Sequence, residues 1–285
     1  LLGRLNFLSR LRPNAALAVV FLSLASWPNH SQADDGFLLK GATQTHLAFA
    51  LTGNQGIDDI SRAGLTGLTR VLAARTSLEA AAPIALDIEH DELALFPLIY
   101  WPVIAEQRTP SPGAQAKLAR YLKSGGMILF DTRDAGEAPG LPGTPTAPTL
   151  ALRRILENLD IPPLVQIPRG HVLTRSFYLL NEFPGRYAGG ILWVEAAQAD
   201  PSGSEVANQG AINDGVSSVL IGGGDWAAAW ASDAYGRPMA ALVPGGERQR
   251  ELSYRFGINL AMYALTGNYK GDEVHTREIL RRLGE

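Results

Sequence analysis

No cysteine occurs among the 285 residues. That absence excludes disulfides, thiolate metal sites and a cysteine nucleophile together. There is no surplus of positive charge either: 25 Lys and Arg stand against 28 Asp and Glu, a formal net of −3. A nucleic-acid binder normally shows a basic surplus or stripe, so nucleic acid is not an expected partner. Histidine is scarce. The five are His30, His46, His90, His171 and His275, and no two of them have the spacing of a helical zinc motif. Neither a Gly-x-Ser-x-Gly elbow nor a phosphate loop ending Gly-Lys-Ser/Thr is present. No metal and no cofactor is therefore expected. What remains is an ordinary globular balance, 46% apolar and 19% charged. It argues against disorder and leaves room for one large domain or two small ones.

The leading segment has the pattern of an export signal or an anchor. Arg4, Arg10 and Arg12 precede Ala15 to Ala25, a run of eleven that is apolar apart from Ser23. Ser31-Gln32-Ala33 then offers the small-x-small pattern of a cleavage site. Eleven helical residues rise about 16 Å, short of a hydrocarbon core of roughly 30 Å. Three readings stay open: a signal peptide, a membrane helix widened by its flanks from Leu11 to Trp27, and a buried amphipathic helix. In the first two the arginines stay cytoplasmic and the rest is exported. Residues 1–33 are accordingly read as signal or anchor and 34–44 as a linker. Residues 45–270 are read as the folded domain and 271–285 as a tail helix.

The body alternates strand and helix patterns. His46 to Leu51 is a short apolar run, followed by a helix with Ile57, Ile60, Leu65, Leu68, Val71 and Leu72 near one face and Asn54 as its cap. Leu98-Ile99-Tyr100 reads as a strand. Ser111-Pro112 opens a second helix, which Gly125-Gly126 closes. Met127 to Phe130 is apolar throughout, as in strands buried on both faces of a parallel sheet. Ala135 to Pro148, rich in Gly and Pro, is a loop; Thr149 is expected to open a third helix. His171 to Leu180 reads as irregular, Gly190 to Val194 and Ser217 to Ile221 as strands, and Gly246 to Leu265 as a long helix closed by Gly267. This alternation predicts a three-layer α/β domain with a mainly parallel, flavodoxin-like sheet.

In an open parallel sheet, ligands bind where the strands end at their carboxyl edge. The polar and aromatic oddities of this chain fall at such ends. They are Asn54, Trp101, the run Asp131-Thr132-Arg133-Asp134, and Asp225-Trp226 after the glycines at 222–224. Glycine lets backbone approach a ligand closely, the indoles offer stacking surface, and the carboxylates can pair with Arg133 or Arg175 or receive a ligand cation. Asp131, Asp134 or Asp225 together with His171 would make an acid–base set if burial separated their pKa values. The plainer account of each residue is structural, because Asp after a buried strand often caps the next turn. Glu89-His90-Asp91-Glu92 reads as an exposed acidic loop rather than a metal site.

Several strings also resemble a known family. They are Leu51 to Asn54, Ile60 to Leu65, Phe96 to Pro102, Gly125 to Asp134, His171 to Leu180 and Tyr254 to Leu260. Together they are similar to the domain of unknown function numbered 4159, over about residues 45 to 270. The resemblance implies a fold like that of class I glutamine amidotransferases. It also implies an exported C-terminal half of a larger bacterial membrane protein whose N-terminal half resembles the aerotolerance-type BatA module. The expected location is then the periplasmic side of the inner membrane, anchored or secreted. Amidotransferases of that class use a cysteine after a central strand. The comparable exit here is Tyr100-Trp101-Pro102, so their thiol chemistry does not carry over. The expected function is a non-catalytic module binding a small molecule or an envelope protein; the alternative is a hydrolase using strand-end carboxylates.

Overall fold

The computed structural model describes residues 44–137, 144–196 and 217–283, with side chains described as far as Thr266. The leading segment read as signal or anchor, nearly all of the linker, and the side chains of the tail lie outside the described residues. Among the described residues no helix is long and apolar enough to cross a membrane.

Among the described residues seven strands form one sheet: β1 (His46–Ala50), β2 (Ala81–Leu86), β3 (Leu98–Pro102), β4 (Met127–Asp131), β5 (Leu164–Gln166), β6 (Trp193–Glu195) and β7 (Val219–Gly222). Their spatial order is β2-β1-β3-β4-β7-β6-β5. The first five in that order are parallel; at one edge β6 pairs antiparallel with β7, and β5 antiparallel with β6. The chain leaves β1 toward β2 and returns past it to β3, so strand order reverses between β1 and β3. The parallel strands are apolar on both faces because helices cover both. Those helices are α1 (Gln55–Arg75), α2 (Pro112–Lys123), α3 (Ala147–Leu156), α4 (Trp226–Trp230) and α5 (Glu247–Leu283).

The period-two alternation of side chains divides the core into two layers. Leu98 and Tyr100 of β3 and Met127 and Leu129 of β4 face Leu65, Leu68 and Leu72 of α1, the indoles of α4, and Phe256 of α5. Ile99, Trp101, Ile128 and Phe130 face the other way, toward Leu118 and Tyr121 of α2 and Leu152 and Ile155 of α3. The first layer is closed by an unusually near approach of α1 and α4. A Cβ on Gly64 would lie 2.2 Å from the carbonyl oxygen of Ala227, and one on Gly67 2.1 Å from that of Trp230. Glycine is required at both places because backbone occupies the space that any side chain would need.

Helix starts follow local chemistry. The Asn54 side chain accepts from the Ile57 N–H and the Ser111 hydroxyl from the Ala114 N–H, each satisfying a donor the first turn leaves open. The third helix begins earlier than expected. Thr146 caps it, Pro148 sits in its first turn, and Thr149 lies inside it. One further expectation is corrected. Gly267 does not close the last helix, whose backbone runs from Glu247 to Leu283; a single glycine lowers helix propensity by about 1 kcal/mol without forcing a stop. The segment after His171 holds a short 3-10 helix, Val172–Arg175.

Candidate functional site

The parallel strands all end at one rim, and β4 and β7 are adjacent there, with Asp131 opposite Gly222. Asp131 is the last residue of β4 and points into the first layer, beneath Tyr100 of the neighbouring strand. It is completely buried, at 0% exposure. Its carboxylate collects four donors. The Arg133 and Asp225 backbone N–H groups reach Oδ1 at 3.0 and 3.1 Å, and the Trp226 N–H and the Tyr100 hydroxyl reach Oδ2 at 2.8 Å each. Burial, with the neighbouring Asp225 charge, pushes Asp131 up to about 7, against the pull of those donors. Burial likewise raises Tyr100 well above its ordinary value.

Asp225 stands at the turn from β7 into α4 and is 1% exposed. Two guanidinium groups hold its carboxylate: Arg133 Nε donates to Oδ1 at 2.9 Å and Arg186 Nη1 to Oδ2 at 3.4 Å. Burial opposes the charge on Arg133, but the Asp225 carboxylate beside it keeps its pKa above the ordinary value. Arg133 and Asp225 are also the two non-glycine residues with left-handed backbone among those described, at φ of 60° and 53°. Such a conformation costs of order 1–3 kcal/mol at a non-glycine residue and clusters at functional sites. Here Asp131 holds both strained peptides, since their N–H groups are the ones it accepts.

The rest of the rim is braced just as firmly. Asp134 accepts from the hydroxyls of Thr132, Thr146 and Thr149, tying the exit of β4 to the start of α3. A Cβ on Gly223 would lie 2.3 Å from the Asp134 carboxylate. Across the turn, Gly185 packs on the Gly224 carbonyl, where a Cβ would come within 2.0 Å. The Gln249 amide of α5 donates to the carbonyls of Gly185 and Arg186, and the Val243 N–H donates to Arg186 at 2.7 Å. The backbone that presents Arg186 is therefore held from three sides.

Of the nine residues singled out in the sequence, Asp131, Arg133, Asp134 and Asp225 come together here. Asn54 lies on the same rim but two strands away, about 10 Å across, where it caps α1. Trp101 is buried in the second layer against Phe130, with its indole nitrogen unpaired among the described residues. Trp226 is buried in the first layer, its indole donating to the Phe183 carbonyl. Neither indole offers stacking surface. His171 and Arg175 belong to the opposite rim. The His171 Nε2 lies 3.4 Å from the hydroxyl of Ser217, which precedes β7, while Asp225 follows that strand. The strand itself separates them by about 10 Å or more. Burial lowers the pKa of His171, and Arg175 is exposed beside it.

Tyr100, Arg186 and Gln249 were missed in the sequence. Tyr100 reads there as one more apolar strand residue, and nothing local in Phe183-Pro184-Gly185-Arg186-Tyr187 marks its arginine. Among the described residues no group of three or more His, Cys, Asp or Glu could hold a metal ion. The acidic loop is exposed, and its polar groups pair with one another and with the start of α2. His90 Nδ1 pairs with Asp87 at 2.9 Å, and Glu89 accepts from Ser111.

Residues 46–265 match the family model of a domain of unknown function, DUF4159. No curated protein matches the chain.

Proposed function

The chain belongs to the family of that domain, DUF4159, and we propose that it is a non-catalytic ligand- or partner-binding module, exported and working in a bacterial envelope. One observation carries the binding reading. The carboxylates of Asp131, Asp134 and Asp225 are each engaged by internal donors, yet the loops carrying them are held in a strained, braced arrangement around two partly exposed arginines. Strain that a fold maintains at a rim where parallel sheets bind ligands points to a ligand.

The hydrolase alternative asks for a carboxylate that meets substrate or a base within reach of one. Asp131 and Asp225 are fully buried and engaged, the half-buried Asp134 is held by three threonine hydroxyls, and His171 stands at the far rim. The export reading rests on the arginines, apolar run and small-x-small pattern of residues 1–33. The test is a broad ligand and substrate screen on the purified full chain. Ligands that raise the unfolding temperature without turnover are expected. Hydrolysis of an ester, amide, glycoside or phosphoester probe, abolished by Asp225→Asn in a folded protein, would overturn the binding reading. Fractionation of cells expressing the full chain checks location, and a purely cytoplasmic product would remove the envelope part.

A further inference from the structure

The Arg133–Arg186 pair remains only half used by the contacts described above. A guanidinium carries five N–H donors in a fixed fork. Arg133 spends Nε on Asp225, and Arg186 spends one Nη1 contact on the same carboxylate. Among the described residues Arg186 Nε is buried without a hydrogen-bond partner, and native proteins leave few buried donors in that state. The two side chains are 21% and 38% exposed, so both guanidinium groups reach the rim even though the Arg186 Nε is buried. Two like charges are thus drawn to one point by a single carboxylate, leaving unspent donors beside them. The Arg186 guanidinium is further set over the Tyr187 ring, 5.4 Å from its centroid, and that ring covers Gly136 on the exit of β4. The fork is pre-oriented before anything binds.

We propose that Arg133 and Arg186 form a clamp for a ligand bearing a small oxyanion, a carboxylate or a phosphate group. This rests on the binding reading above and names its ligand class. Paired guanidinium groups suit such oxyanions because planar N–H forks match their oxygen spacing and supply charge-assisted hydrogen bonds. Asp225 acts as the positioning residue. It neutralises one of the two charges, so the pair is tolerated without ligand, and leaves the other for the incoming anion.

The experiment is calorimetric titration of the full chain at low ionic strength with inorganic phosphate and, separately, succinate, against sodium chloride at matched ionic strength. Saturable binding of at least one oxyanion, beyond the chloride response, is expected; which one binds decides between phosphate and carboxylate. Arg186→Gln should weaken it at least tenfold with the near-ultraviolet circular dichroism unchanged. Arg186→Lys, which keeps the charge and loses the fork, should fall between the two and serves alone if the Gln variant does not fold. Oxyanion responses no larger than chloride, or affinity unchanged in the variant that folds, would overturn the clamp. Should the screen yield a neutral ligand while both oxyanions fail, the clamp falls and the binding reading stands. Failure of the entire screen and of both oxyanions removes both.

Discussion

Replacing Asp131 by Asn isolates the buried carboxyl that holds both strained peptides of the rim. The sign follows from the raised pKa. A carboxyl that holds its proton up to about 7 when folded, but only to about 4 when unfolded, stabilises the fold most below the lower value. That contribution is lost as pH rises through the higher one. Between pH 5 and pH 8 the native protein should lose about 3 kcal/mol from this group alone. The replacement carboxamide cannot titrate. Its oxygen can keep the Arg133 and Asp225 N–H groups, and the Tyr100 hydroxyl can turn to accept from its NH2, but the Trp226 N–H is left facing a donor. One unpaired buried N–H costs about 1–3 kcal/mol. The Asp131→Asn protein should therefore be less stable than the native one by that amount at pH 5, and the gap should close or reverse by pH 8. Urea unfolding followed by tryptophan fluorescence at each pH unit measures it. A gap that stays constant, or widens with rising pH, would show that the four donors outweigh burial and would refute the reasoning.

Two further substitutions test the packing around the rim. Gly64→Ala places a methyl group 2.2 Å from the Ala227 carbonyl oxygen and must part α1 from α4. A loss of about 1–3 kcal/mol, seen as a fall of several degrees in Tm, is expected; an unchanged Tm would mean the helices are not in close contact. Trp101→Phe removes an unpaired buried N–H and retains a ring against Phe130, so stability should move by no more than about 1 kcal/mol. Because Trp101 lies in the second layer, the oxyanion response should not change, and its loss in a folded variant would place Trp101 near the ligand after all.

The alternation of apolar runs with amphipathic, capped segments determined the α/β class, most of the strands and the starts of the first two helices. These are local properties: side-chain period, cap chemistry and glycine placement act within a few residues. The apolar residues on both faces of Met127–Phe130 already required helices on either side of the sheet. The acidic and basic cluster after Phe130 and the run ending in Asp225 were likewise visible as strand exits. Tertiary structure alone decided the rest. Trp101 and Tyr100 are neighbours in the chain, yet alternation along β3 sends one into each layer, and no local signal said which face would meet Asp131. His171 reached the far rim because its segment is set against the start of β7. Arg186 joined Asp225 from 39 residues away, through a turn that Gln249 of α5 fixes. A one-dimensional pattern records which groups are buried or capped nearby; it does not record which distant groups share a rim, because strand order and the packing of later segments set that.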